Sequence, residues 1–223
     1  MGARILALAE KDDELRVVQR IGRSGLASGS SGEVPEVVLD FSSEAGTRVA
    51  IDLARRSGAA LLVGTTGLSE PVRTEIRALA DIQAVLEAPN TSLGVAVTRA
   101  LAQLAAQLLA PAGWTVDIVE SHHDRKKDAP SGTALAIARS LAAGGLEIGP
   151  DRIHAIRAGD TVGEHEIRLA GPSERLHIMH QAVSRDLFAA GAIRAAKWLA
   201  GRPPGAYSMD DVLLAPRQRG GRG

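Results

Sequence analysis

The sequence predicts an α/β fold in two parts: a parallel sheet covered by helices in the first half, then a second, largely antiparallel or mixed sheet. Three observations carry that prediction. Short apolar runs alternate with helical patterns up to about residue 90, and beyond it several strand-like stretches follow one another. A chain of 223 residues with 45% apolar content is also long and apolar enough for one large or two small cores.

The elements follow in order. Val37-Val38-Leu39-Asp40-Phe41 reads as a buried strand, Ala45 to Ser57 as a helix, Ala60 to Val63 as the next strand, Glu70 to Ala80 as a helix and Ala84 to Ala88 as a third strand. Apolar strands that alternate with helices belong to a parallel sheet covered on its faces. From Asn90 the pattern changes. A long helix from about Leu93 to Ala110 leads into Trp114 to Val119, which alternates as a strand. Thr133 to Leu141 is a run of good helix formers with apolar residues three and four apart. Arg152 to Arg157, Gly163 to Ala170 and Arg175 to Ala182 read as strands, and Ala189 to Leu199 as a helix. These patterns place one domain at 1–90 and a second at 91–201, with a return segment to the first at about 202–215. Residues 216–223, rich in arginine and glycine, have the composition of a disordered tail.

Lys plus Arg equals Asp plus Glu at 26 each, so no global charge speaks for nucleic acid or an anionic membrane, and any anion binding must be local. The arginines of the tail are too few to change that expectation. The absence of cysteine excludes disulfides, thiolate metal sites and cysteine nucleophiles. Apolar stretches such as Ala59 to Val63 are far too short to span a bilayer, and the N-terminus lacks the regions of a signal peptide. A cytoplasmic protein with no membrane partner is expected.

The run from Glu120 to Thr133 puts two histidines, three cations and a helix start in one short loop. A strand delivers the histidines, and the loop ends at a helix N-terminus whose free N–H groups and partial positive charge favour an anion. Adjacent histidines on a strand point to opposite faces, so one can face a cleft while the other packs. Together these features outline a site for a small dianion. Each member alone has a plainer reading: a satisfied histidine, a solvated Lys126-Lys127 pair, a helix entry with Asp128 or Ser131 capping and Pro130 near the first turn. Zinc is the rival ligand, but the neighbouring cations repel it and only Glu120 and Asp124 stand nearby as further ligands, so no metal is expected. Gly64-Thr65-Thr66-Gly67 and Ala88-Pro89-Asn90-Thr91 each follow a strand, where an open parallel sheet leaves a crevice for ligands. Both also serve as plain connecting or hinge turns.

Glu120-Ser121-His122-His123, followed by Lys126 and Asp128-Ala129-Pro130-Ser131-Gly132-Thr133-Ala134, resembles the signature of the dihydrodipicolinate reductase family, also called 4-hydroxy-tetrahydrodipicolinate reductases. Further landmarks stand in family order along nearly the whole chain. They are Asp40-Phe41-Ser42, Gly64-Thr65-Thr66-Gly67, Ala88-Pro89-Asn90, Arg157-Ala158-Gly159-Asp160 with Val162-Gly163-Glu164-His165, and Phe188-Ala189 with Gly191-Ala192 and Trp198-Leu199. The resemblance implies a Rossmann-like dinucleotide-binding domain and a mixed-sheet α/β domain that binds substrate and builds a homotetramer. The implied activity is NAD(P)H-dependent reduction of 4-hydroxy-tetrahydrodipicolinate, a small dicarboxylate, in the diaminopimelate route to lysine. It implies His122 and Lys126 as catalytic, protonating the substrate as the nicotinamide hydride arrives. His123, Ser131, Gly132 and Thr133 are implied as substrate contacts. Gly64, Thr65 and Thr66, with Ala88, Pro89, Asn90 and Thr91, are implied as backbone segments that hold the nicotinamide and its ribose. The chemistry is consistent: hydride addition to a conjugated C=C–C=N system leaves negative charge that a proton donor near neutral pKa relieves. Cations and helix N–H groups position the carboxylates.

Two departures qualify the resemblance. The family begins with a strand and a GxxGxxG turn that binds pyrophosphate, whereas this chain begins at Met1-Gly2-Ala3-Arg4, with Gly2 where the final glycine would stand and contribute to cofactor binding. The missing strand is expected to leave two unpaired strand edges and an apolar slot. A native start upstream is the expected reason, and a damaged remnant of uncertain activity is the alternative. The second departure is Gly22, where many relatives carry an acidic residue, while Arg23 is kept. An arginine without a carboxylate beside it suits a 2′-phosphate, which favours NADPH over NADH, although Arg20 and Arg23 read equally as solvated. Two other functions stay open: a non-catalytic dicarboxylate-binding oligomer that has lost the dinucleotide site, and a metal-dependent hydrolase using His122 and His123. The Gly64 and Ala88 segments speak against the hydrolase.

Overall fold

The computed structural model describes residues 1–22, 25–29 and 33–214. The chain divides into two compact units, Met1–Ser92 with Phe188–Gly223, and Leu93–Leu187. In order, the elements are α1 (Gly2–Ala9), β1 (Gln19–Gly22), β2 (Gly25–Gly29), β3 (Val37–Asp40), α2 (Glu44–Ser57), β4 (Ala60–Val63), α3 (Glu70–Ala80) and β5 (Ala84–Glu87). There follow α4 (Leu93–Leu109), β6 (Thr115–His122), α5 (Gly132–Ala143), β7 (Ile153–Arg157), β8 (Gly163–Ala170) and β9 (Arg175–Ala182). The last are α6 (Asp186–Leu199), β10 (Gly205–Tyr207) and α7 (Met209–Leu214).

The first unit holds a parallel sheet in the order β10-β5-β4-β3. All four residues of β4 are buried, as befits a strand covered on both faces. On one face Leu61, Val63 and Val85 pack against Ile51 and Ala54 of α2 and Val72, Ile76 and Leu79 of α3. On the other, Leu39 and Phe41 pack with Ile5 and Ala9 of α1 and with Ala189, Ala192 and Ile193 of α6. The spacing of Thr47, Ala50, Ile51 and Ala54 makes one buried stripe on α2, and the Ser43 hydroxyl caps that helix by accepting from the Gly46 amide at 3.4 Å.

The chain re-enters this unit at Phe188, earlier than the return expected at about 202. The reason is packing: the small apolar face of α6 is buried against α1, a partnership that periodicity along α6 does not reveal. The β1–β2 hairpin also went unread, because three of the four residues of β1 are exposed and no alternation marks it. Among the described residues β1 pairs with β2 and β3 with β4, and no strand joins β1 to β3. Arg23 and the 216–223 tail lie outside the described residues.

The second unit has a mixed sheet, β7-β6-β8-β9, in which β6 runs parallel to β7 and antiparallel to β8. The parallel pair is joined through α5, as a parallel crossover requires. One sheet face, Val116, Ile118, Ile167 and Leu169, packs against Ala102 and Ala106 of α4 and Ala134, Ile137 and Leu141 of α5. Strict alternation in β6 and β8 follows from that single covered face. The sequence reading found no apolar stretch of membrane-spanning length, but the helical run Leu93–Ala112 is long and apolar enough by length and composition. Such a run is weak evidence for a span; Ala102 and Ala106 are wholly buried in the core, whereas Leu101, Leu104 and Leu108 of the same helix are exposed.

Candidate active site

Strand β6 carries the site. Its inward positions end in Glu120 and His122, two residues apart and therefore on one face. Glu120 is fully buried, and His122 is 8% exposed. One Glu120 oxygen bonds His122 Nδ1 and accepts from Arg157 at 3.0 Å. The other accepts from Arg157 at 2.9 Å and from the Ser131 amide at 3.1 Å. Arg157 stands on β7 directly beside His122, and its guanidinium also donates to the Asp128 carbonyl at 2.6 Å. Burial works to raise the pKa of Glu120, but the bonds from Arg157, His122 and Ser131 outweigh it and hold the carboxyl below its usual range.

His122 Nε2 lies beside Gly163 on β8, where a Cβ would come within 3.0 Å of it, so only glycine leaves that nitrogen uncrowded. His165, two residues further along β8, meets the His122 ring edge-on at 5.2 Å between centroids. Burial lowers the pKa of His122, and the Lys126 and Arg157 charges add to this, while Glu120 opposes them. His165, 4% exposed, is pushed down to about 4 by burial and by His122, so its ring is neutral at neutral pH. Its Nε2 is 3.2 Å from the Ser131 hydroxyl, and its buried Nδ1 has no hydrogen-bond partner among the described residues.

His165 makes acid stability testable. Between pH 6.5 and about 4 the unfolded chain takes up a proton that the folded ring resists, so stability falls as pH falls through that window. The expected loss is about 3 kcal/mol. Urea denaturation of the wild type across this range should show it, and His165→Gln should lack it; parallel acid slopes would show that His165 does not resist protonation in the fold.

The strand ends at His122, so His123 opens the loop, half-buried, with Nδ1 buried and without a hydrogen-bond partner among the described residues. Lys126 Nζ is held by both oxygens of Asp128 at 2.8 and 2.9 Å, and its bond lowers the pKa of that carboxyl. Ser131 is the N-cap of α5, its hydroxyl accepting from the Ala134 amide at 3.1 Å. Gly132 begins the helix with open space around it, since a Cβ there would meet nothing within 4 Å, and Thr133 follows it in the first turn. The structure therefore brings His122, Lys126, Ser131, Gly132 and Thr133 into one strand-loop-helix unit. In the sequence Arg157 and His165 stand only as family landmarks, and Glu120 as part of the motif and a possible metal ligand. The sole local signal was that Glu120 and His122 share a face. Among the described residues no three His, Asp or Glu side chains gather as metal ligands.

In the first unit, parallel register aligns Asp40, Val63 and Glu87 at the carboxyl ends of β3, β4 and β5. The Gly64-Thr65-Thr66 and Ala88-Pro89-Asn90-Thr91 segments therefore share one sheet edge. The Thr65 hydroxyl donates to Asp40 at 2.8 Å and accepts from the Ser42 amide at 2.9 Å, which sets the first turn. Thr66 is exposed, as is Pro89, while Ala88 is buried and its amide donates to the Val63 carbonyl at 2.8 Å. Asn90 accepts from the Ser92 amide at 2.9 Å, and the buried Thr91 hydroxyl donates to the Phe188 carbonyl at 2.6 Å. Thr91 thus has its side chain committed to the fold, leaving backbone to a ligand. Gly2 opens α1 in an exposed position with nothing beside it. A glycine turn at the carboxyl ends of parallel strands suits a nicotinamide and its ribose.

Comparison with known proteins gives two family matches: "Dihydrodipicolinate reductase, N-terminus" over residues 1–91 and "Dihydrodipicolinate reductase, C-terminus" over 94–213. The 4-hydroxy-tetrahydrodipicolinate reductase of Xanthomonas campestris pv. campestris (strain B100) is 40% identical over 227 aligned positions, covering 96% of this chain and 93% of the relative. That of Stenotrophomonas maltophilia (strain R551-3) is 42% identical with the same coverage, 96% and 93%. A solved structure, dipicolinate-bound dihydrodipicolinate reductase from Paenisporosarcina sp. TG-14, superposes with a TM-score of 0.74 over 95% of each chain at 20% identity, a likeness of fold alone.

Proposed function

The chain belongs to the dihydrodipicolinate reductase family, and we propose from that premise how its residues divide the work. It is an oxidoreductase that reduces 4-hydroxy-tetrahydrodipicolinate with a nicotinamide dinucleotide, in the diaminopimelate route to lysine. The observation that carries the division of labour is the gathering of His122, Lys126 and the start of α5 in one strand-loop-helix unit. Bound NAD(P)H supplies the hydride. His122 and Lys126 act as proton donors to the carbanion that results. Ser131, Gly132 and Thr133 hold a substrate carboxylate at the α5 N-terminus, with His123 as a further contact. The Gly64–Thr66 and Ala88–Thr91 segments hold nicotinamide and ribose by backbone, and Gly2 serves the phosphates.

Finer features belong to the same reading. NADPH is favoured over NADH on the ground that Gly22 stands where many relatives carry an acidic residue, which leaves Arg23 without a carboxylate beside it. A homotetramer is supported by the sheet face turned away from α4 and α5, where Ile156 and Met179 are 47% and 61% exposed, and a cytoplasmic location by the biosynthetic role of the family. The non-catalytic alternative is not favoured, because both halves of the chain match the reductase family. The hydrolase reading falls with it.

The test is nucleotide oxidation by the purified chain, supplied with enzymatically generated substrate and NADPH or NADH. Substrate-dependent oxidation, inhibited by dipicolinate, is expected, with the higher kcat/KM for NADPH. No oxidation with either nucleotide would overturn the reading, and a higher kcat/KM for NADH would overturn the preference.

A further inference from the structure

We propose that Glu120 is the positioning residue of the site: its one buried carboxylate fixes which nitrogen of His122 can deliver a proton and ties that ring to the start of α5. This rests on the reading of His122 as the proton donor.

A carboxylate offers about four acceptor positions, and here two bonds fall on each oxygen. Three of the four partners are obligate donors: two guanidinium N–H groups of Arg157 and the amide of Ser131. Such a carboxylate stays ionised, so the His122 nitrogen facing it must also donate. His122 is thereby held with its proton on Nδ1. The nitrogen left to gain and lose a proton is Nε2, the one beside Gly163. This is the arrangement in which a buried acceptor sets the tautomer and orientation of a histidine that does chemistry through its other nitrogen.

The same carboxylate decides whether Nε2 can be charged at all. Around the ring stand Glu120 on its own strand, Arg157 from β7, His165 from β8 and Lys126 from the loop. Arg157 and Lys126 are cations and His165 is neutral, so Glu120 is the one group among these that favours the imidazolium. Arg157 in turn keeps Glu120 ionised. The second oxygen sets the Ser131 amide, and with it the helix start, in register with the ring. A carboxylate that merely neutralised Arg157 would need neither the bond to Nδ1 nor the bond to the Ser131 amide.

Glu120→Gln discriminates these roles. A glutamine keeps the shape but must present its amide NH2 to one side. With the NH2 toward Nδ1 the oxygen keeps the Ser131 amide and one Arg157 N–H, and only the second Arg157 N–H is opposed, whereas the reverse orientation opposes both the Ser131 amide and an Arg157 N–H; the NH2 therefore faces Nδ1 and reverses the tautomer. Two readouts follow. Nitrogen-15 correlation spectra of histidine-labelled protein should show the His122 proton on Nδ1 in the wild type and on Nε2 in Glu120→Gln. The alkaline limb of kcat/KM should move to lower pH by about one unit, so that kcat/KM at neutral pH falls about tenfold and recovers as the medium is acidified. A wild-type ring protonated on Nε2 overturns the proposal without any variant. An unchanged tautomer and pH limb in a folded Glu120→Gln also overturns it, leaving a structural ion pair. If the spectra behave as expected while the wild type oxidises no nucleotide, the reductase reading fails and the positioning of the ring stands.

Discussion

Replacing His122 with asparagine should lower kcat for 4-hydroxy-tetrahydrodipicolinate by about 10²- to 10⁴-fold, the span that a positioned general acid contributes. Asparagine is the informative replacement because its amide nitrogen can take the place of Nδ1 and still donate to Glu120. The four-bonded carboxylate, Arg157 and the Ser131 amide then keep their arrangement. Binding of the dicarboxylate is proposed to rest on the helix start and His123, which the change leaves in place, so KM should move far less than kcat. That split marks an interaction made in the transition state rather than in the ground state. The measurement is steady-state kinetics at saturating nucleotide, with thermal denaturation to confirm the fold. A folded variant within about threefold of the wild-type kcat would remove His122 from the donor role, and attention would pass to Lys126.

Gly191→Ala carries the largest expected effect on stability. On helix propensity alone the change should help, since alanine favours a helix interior over glycine by about 1 kcal/mol. Packing overrides this. Gly191 is buried on α6, and a Cβ there would lie 1.8 Å from the carbonyl oxygen of Thr91. Neither backbone can yield cheaply, because the Thr91 hydroxyl ties this segment to the Phe188 carbonyl in the first turn of α6. The overlap must be relieved by displacing α6 from the Thr91 segment, which costs about 3 kcal/mol or prevents folding. Urea denaturation reads the outcome. A midpoint equal to or above that of wild type would mean that the close approach of α6 to residue 91 is not a feature of the folded chain.

Much of the first unit was legible. β4 and α3 begin and end where the apolar runs and the helical period place them, because a strand buried on both faces and an amphipathic helix each write their pattern in neighbouring residues. The β1–β2 hairpin was not legible: both strands are short, and β1 is largely exposed and shows no alternation. The membership of α6 was not legible either: its stripe of small residues says that something packs closely there, not what.

The site divides in the same way. The sequence by itself determined the family, the strand that ends in His122, the Lys126 loop and the capped helix that begins after Ser131. These lie within one continuous stretch, where period and capping are set by near neighbours. Only the tertiary structure decided what surrounds His122, the proposed proton donor. Arg157 reaches Glu120 from 37 residues along the chain, and His165 reaches Ser131 from 34. Those meetings depend on the register of β6 with β7 and β8. Register is set by which sheet face α4 and α5 bury, since a slip of one residue would send Glu120, His122 and His165 to the opposite face. The residue types for the proposed chemistry are local information, whereas the surroundings that would set the charge and tautomer of His122 arise from strands distant in sequence that burial forces side by side.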